Sequence, residues 1–103
     1  MSKYRNIKTE VDGIIFDSKA EARRYTQLKL LEKANEISDL RLQYPFECKI
    51  NEKKICTYKA DFHYFEGDQW VIEAVKGFRT QGYNHKKKLV EALHGVEIRE
   101  VRA

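Results

Sequence analysis

YKADFHYFEGDQWVIEAVKG, residues 58–77, decides the fold of this chain. Two runs of strand-forming residues flank Glu66-Gly67-Asp68, a turn signal, so they pair as a hairpin. Strand alternation then sorts their side chains. In the first run Cys56, Tyr58, Ala60, Phe62 and Tyr64 share an apolar face, and Thr57, Lys59, Asp61 and His63 share the other. In the second, Trp70, Ile72, Ala74 and Lys76 face one way and Val71, Glu73 and Val75 the other. This register lays Asp61 beside the Ala74–Lys76 segment at one end of the pair.

Upstream, Asp12-Gly13 between Ile7–Val11 and Ile14–Phe16 predicts an early hairpin. Ser18 followed by Glu21 fits a capping box that opens a helix running to about Ala34, closed by Asn35 in a left-handed cap. Glu21, Tyr25 and Leu28 lie on one stripe of that helix, so an acid continues an apolar face. A strand from Asp39 to about Ile50 follows, broken near Pro45, and Asn51–Lys54 is a polar turn. Gly77 to Gly82 reads as a loop. A second helix spans roughly Tyr83–His94 with a core stripe of Leu89, Val90 and Leu93, and Gly95 ends it. Val96–Val101 alternates and makes a last strand. The order is hairpin, helix, three strands, helix, strand: a small α/β domain on a mixed sheet.

The chain has 103 residues, 20 Lys+Arg and 16 Asp+Glu, and a net charge of +4. That length allows one domain over 1–103, with residues 1–6 as a flexible basic arm, and excludes a two-domain enzyme or a barrel. No apolar run reaches the roughly 20 residues of a membrane helix. The start, MSKYRNIKTE, lacks the apolar core of a signal peptide, so a cytoplasmic protein is expected. The basic balance suits an anionic partner without proving one. Cys48 and Cys56 are too few and too far apart for a zinc knuckle or a CxxC, and read as two ordinary thiols.

Two acids and a lysine converging at a strand end suit metal-assisted phosphodiester hydrolysis. Carboxylates are hard ligands for Mg²⁺, which polarises a phosphate and acidifies a bound water. Each residue also has a plainer role. Glu21 can serve only the helix cap, Asp61 can bond its own backbone, and Lys76 can be a solvated strand end. His63 is a surface or hydrogen-bonded histidine, and His85 and His94 are ordinary helix residues. Lys86-Lys87-Lys88 is a solvated helix face or, after a loop carrying Arg79, a set of phosphate contacts.

Four segments together resemble the PD-(D/E)xK nuclease superfamily: TEVDGIIFDSKAEARRY (9–25), YKADF (58–62), VIEAVKG (71–77) and HKKKL (85–89). More narrowly, the chain is similar to small phage-encoded nucleases related to endonuclease I type Holliday junction resolvases. The resemblance covers about Lys8 to Val101. It implies an α/β restriction-endonuclease-like core, a mixed sheet flanked by helices behind an N-terminal hairpin. It implies Glu21 as the helix acid, Asp61 as the central metal ligand, and Lys76 beside the attacking water. The backbone carbonyl of Val75 would be a further ligand, for Mg²⁺ with Mn²⁺ as substitute. Arg79, Lys86, Lys87 and Lys88 would bind DNA. The implied substrate is branched or junction DNA, and the implied assembly a homodimer.

One position departs from the pattern. The second motif acid stands two residues before the lysine, and here that position is Ala74. Three explanations compete: a deliberate inactivating substitution, a naturally inactive relative, or service by Glu73 through a bulge. Loss of a carboxylate weakens the hold on Mg²⁺ and removes a negative charge facing the phosphate, so the chain is expected to bind DNA and to cleave it poorly or not at all. The alternatives in function are a nicking or duplex endonuclease of phage genome processing, a catalytically dead DNA-binding module, and a structural α/β protein.

Overall fold

The computed structural model describes residues 7–77 and 80–102. The expected arm over 1–6 and the expected DNA contact Arg79 lie outside the described residues.

The chain opens with a hairpin of β1 (Thr9–Val11) and β2 (Ile14–Phe16), in register Val11 with Ile14. Asp12 and Gly13 both take positive φ, 53° and 77°. That is the two-residue turn whose twist matches paired strands. Helix α1 (Lys19–Lys33) follows, capped by Ser18, whose Oγ accepts the Glu21 N–H at 3.1 Å. Past its end Asn35 turns left-handed at φ 62°.

Four strands form the main sheet: β3 (Ile37–Ile50), β4 (Lys53–Glu66), β5 (Gln69–Lys76) and β6 (Ile98–Arg102), in the order β3-β4-β5-β6. The first three are antiparallel, and β6 joins β5 in parallel after helix α2 (Gln81–His94) crosses over. The fold is therefore mixed α/β with one mixed sheet and two helices. Strand β3 runs unbroken through Pro45, where the sequence predicts a break. It lies at the sheet edge, and an edge strand has one side where a missing N–H leaves no ladder partner wanting.

Each helix covers one face. Ala22, Tyr25 and Leu28 of α1 pack on Phe16, Ile37, Phe62, Tyr64, Val71 and Val75. Tyr83 and Val90 of α2 pack on Cys48, Tyr58, Ala60, Ile72, Ala74 and Ile98. With both faces covered, β5 is buried from Val71 through Val75, which explains its largely apolar run there. Leu93, placed in the α2 core stripe by its spacing, is 41% exposed. The buried line of α2 runs from Tyr83 to Val90, and Leu93 lies about 60° round the helix from it. Gly95 ends α2 in the left-handed conformation, as its sequence position predicts.

Strand β4 departs from simple alternation. Tyr58 and Ala60 face α2, whereas Phe62 and Tyr64 face α1. The apolar set read as one face is divided between two. The change of face falls at Asp61. Ladder pairs flank it at Leu42 with Phe62 and Tyr44 with Ala60, and Gln43 opposite takes φ 50°. Pairing of β4 with β5 also stops at Phe62 with Glu73. Among the described residues no helix is long and apolar enough to cross a membrane.

Candidate functional site

Asp61 stands where β4 parts from β5. Its Oδ2 accepts the Val75 N–H at 2.7 Å, and its Oδ1 accepts a longer bond from Gln43 Nε2 at 3.4 Å. The side chain thus bridges a gap that the backbone ladder leaves open. With Glu21 and Asp17 it lines a cavity of about 220 Å³, walled by Phe16, Leu42 and Phe62. The α1 N-terminus brings Glu21 to this corner, as the helix stripe predicts.

The electrostatics of the corner are those of crowded acids. Burial, then Asp61, then Asp17 push Glu21 up from 4.5 to about 7, against the opposing pull of Lys76. Burial also raises Asp61, while the Val75 N–H, Lys76 and Gln43 stabilise its charge. Two partly dehydrated carboxylates, each raised further by a neighbouring acid, are a place where a cation or a proton is favoured. Asp17, which the sequence shows only as the residue before a helix cap, is part of this acid set.

Lys76 is close enough to influence both acids, but its ammonium rests on the other side of the sheet. Its Nζ lies 4.5 Å from the ring centroid of Tyr83. The Tyr83 hydroxyl in turn donates to Glu100 Oε2 at 3.0 Å. A second cleft, about 490 Å³, opens there between Tyr58, Lys59, Lys76, Thr80, Tyr83 and Lys86. Three ammonium groups and the N-terminus of α2 make it electropositive. Acid and basic halves of the corner therefore meet along the Asp61–Val75 bond.

Ala74 is fully buried in the α2-side core and shares the Lys76 face, as alternation predicts. Glu73 lies on the opposite face, where no bulge re-aims it. It is fully buried, with Arg24 Nε donating to its Oε1 at 2.9 Å and Arg24 Nη2 to its Oε2 at 2.7 Å. The Tyr64 hydroxyl donates to Oε2 as well. Glu73 is thus occupied as the anchor of α1 and not part of the acid cavity. Arg24 is consumed by this pair.

The three lysines of α2 do not act as one patch. Lys86 lines the basic cleft, Lys87 pairs with Glu91 at 3.6 Å, and Lys88 is exposed. Successive helix residues point about 100° apart, so a run of three cannot share one face. His63 is buried against Tyr44, Phe46 and Trp70, away from the acid cavity. Gln43 and Tyr83 give no sequence signal for their roles. Both depend on which strand or helix is brought opposite.

The oxygen donors on offer are two carboxylates, Glu21 and Asp61, with Asp17 at the cavity wall. Among the described residues no group of three His, Cys, Asp or Glu side chains converges tightly enough to hold a metal ion. Two carboxylates fit Mg²⁺ loosely, because that ion is commonly held by one or two carboxylates together with waters and substrate phosphates.

No curated protein and no solved structure matches the chain. A family model matches residues 1–102 and carries the description "Protein of unknown function (DUF1064)". The chain accordingly belongs to the DUF1064 family.

Proposed function

We propose that the chain derives from a metal-dependent DNA endonuclease with a PD-(D/E)xK-type, restriction-endonuclease-like core. In this reading it is of phage origin and directed at branched DNA such as Holliday junctions. The observation that carries the reading is Asp61 held at the β4–β5 split by the Val75 N–H, with Glu21 across a small cavity. That pairing of a strand-end aspartate with a helix glutamate is what hydrolysis at a phosphodiester calls for.

Glu21, Asp61 and the Val75 carbonyl would hold Mg²⁺, or Mn²⁺ in its place. When bound, the ion polarises the phosphate and favours the ionised form of a water. The chain's own residues do the rest. Lys76 would orient the water or balance charge on the phosphate oxygens once its ammonium swings away from the Tyr83 ring. Its rest over Tyr83 leaves the ammonium beside the basic cleft, where Lys59 and Lys86 attract the same phosphate backbone. Arg79, Lys87 and Lys88 belong to this reading as further phosphate contacts. Resolving a junction takes two cuts, which a symmetric dimer of this chain supplies.

Ala74 limits the activity of this chain. A methyl group stands where the second motif acid is expected, and Glu73 is engaged elsewhere. The same observation favours a second reading, a DNA-binding module that no longer cleaves. An assay of this chain beside Ala74→Asp separates the two, on a four-way junction and a matched duplex with Mg²⁺ and then Mn²⁺. Junction cleavage by the variant alone supports the nuclease reading. Cleavage of duplex and junction alike replaces the junction substrate with a duplex or nicking one. Tight junction binding with no cleavage by either protein favours the binding module, and absence of DNA binding overturns both.

A further inference from the structure

The geometry points to Cys48 and Cys56 as a reversible cross-strand dithiol–disulfide pair that closes within the folded chain. The two are direct partners in the β3–β4 register. Such partners lie about 4.5–5.5 Å apart at Cα, inside the roughly 4.4–6.8 Å that a disulfide spans. Both side chains enter the core beneath α2, Cys48 fully and Cys56 partly. Direct partners in a ladder carry their side chains on the same face of the sheet, so the two sulfurs are brought side by side. A free, paired arrangement of this kind needs rotation about side-chain bonds only, with no movement of either strand.

The two sulfurs differ in access. Cys48 is fully buried, and burial holds its thiol protonated despite the nearby Lys86 ammonium. Cys56 is half-exposed and is therefore the one that meets an oxidant. With hydrogen peroxide as oxidant, the Cys56 thiolate attacks one peroxide oxygen, the O–O bond breaks, and hydroxide leaves and takes up a proton as water. The product is a sulfenic acid. The Cys48 sulfur then attacks the Cys56 sulfur, the S–O bond breaks, and hydroxide leaves with the Cys48 proton as a second water. Two thiols lose two electrons and one peroxide becomes two waters.

The consequence lies in the hairpin tip. The bond would close residues 48–56 into a ring at the far end of β3 and β4, directly behind the cleft lined by Thr57, Tyr58 and Lys86. The pairing escapes a sequence reading because it depends on an extra residue in β4. The register shifts between Cys48 and Lys49, and Ile55 has no partner in β3. Without that bulge the two cysteines would be offset by one and face opposite sides.

The test is peroxide treatment of the reduced, folded full-length chain, followed by intact mass, thiol counting and peptide mapping. The expected result is loss of two hydrogens, loss of both thiols, a 48–56 cross-link in the monomer, and full reversal by dithiothreitol. The C48S variant should instead accumulate a Cys56 sulfenic acid that dimedone traps, which the unmodified chain does not. The pairing is overturned if Cys56 is oxidised while the Cys48 thiol survives. Cross-links found only between chains, or only in urea, overturn it equally.

Discussion

The Asp61 carboxylate accepts the backbone N–H of Val75 at 2.7 Å, across the point where β4 and β5 cease to pair. One side chain thus both bridges the sheet and faces the acid cavity. The two roles separate by substitution. Asp61→Asn keeps a carbonyl acceptor for Val75 and should cost less than about 1 kcal/mol. Asp61→Ala strands the N–H and should cost about 1–3 kcal/mol. Both should abolish metal-dependent activity in an Ala74→Asp background. Urea denaturation beside a cleavage assay checks the split, and equal destabilisation by both variants would remove the bridging role.

Glu21 sets a pH dependence whose sign follows from its surroundings. Its carboxyl is raised from 4.5 to about 7 by burial and by Asp61. Above about pH 4.5 the unfolded chain gives up this proton while the folded chain retains it until about pH 7. The favourable contribution is thus complete below pH 4.5 and lost as the pH rises through 7. Glu21→Gln should stabilise the fold at pH 8, on the order of 1 kcal/mol because the group is half solvated. The gain should vanish at pH 4. Denaturation of both proteins at the two pH values measures it.

Arg24 and Glu73 form a bidentate pair with a fully buried carboxylate. Arg24→Ala leaves that charge without its cation and should cost about 3–5 kcal/mol. Replacing both by leucine should recover most of the loss, since a dry apolar pair avoids the desolvation of two ions. A double-mutant cycle in urea reads the coupling, and additive losses would show that the two act independently.

His63 is buried with Nδ1 lacking a hydrogen-bond partner among the described residues. Burial first, and Arg41 second, hold its pKa below the ordinary 6.5. The unfolded chain takes up a proton below pH 6.5 that the folded chain resists. Stability is therefore kept above that pH and lost as the pH falls beneath it. His63→Phe keeps the ring contacts with Tyr44 and Trp70 and removes the orphan nitrogen. It should gain about 1 kcal/mol at pH 7.5, and more at pH 5.5. Thermal melts at the two values test this.

The sequence made the local features legible because each is decided by a few neighbouring residues. Asp12-Gly13 forces its turn, Ser18 caps α1, Gly95 ends α2, and β5 alternates as read. The convergence of Glu21 with Asp61 was legible too, since an acid on the buried stripe of α1 has to meet the sheet. What stayed hidden depends on two strands at once. The change of face at Asp61 needs Gln43 opposite it, and the Cys48–Cys56 partnership needs the unpaired Ile55. The burial of Glu73 needs Arg24 from another element, so its position in the strand suggests a site residue where the fold has an anchor.

That anchor should also shape how the chain assembles. Arg24 and Glu73 stand 49 residues apart in sequence. Glu73 sits in the middle of the most apolar strand, so its charge keeps one side of the β4–β5 hairpin hydrated until a guanidinium arrives. The hairpin can form early and still remain too polar to collapse on itself or on another copy. Docking of α1 should be the step that lets that side go dry, and closing so long a loop should make it slow. Loss of Arg24 should then appear chiefly as slower refolding, with the unfolding rate changed less.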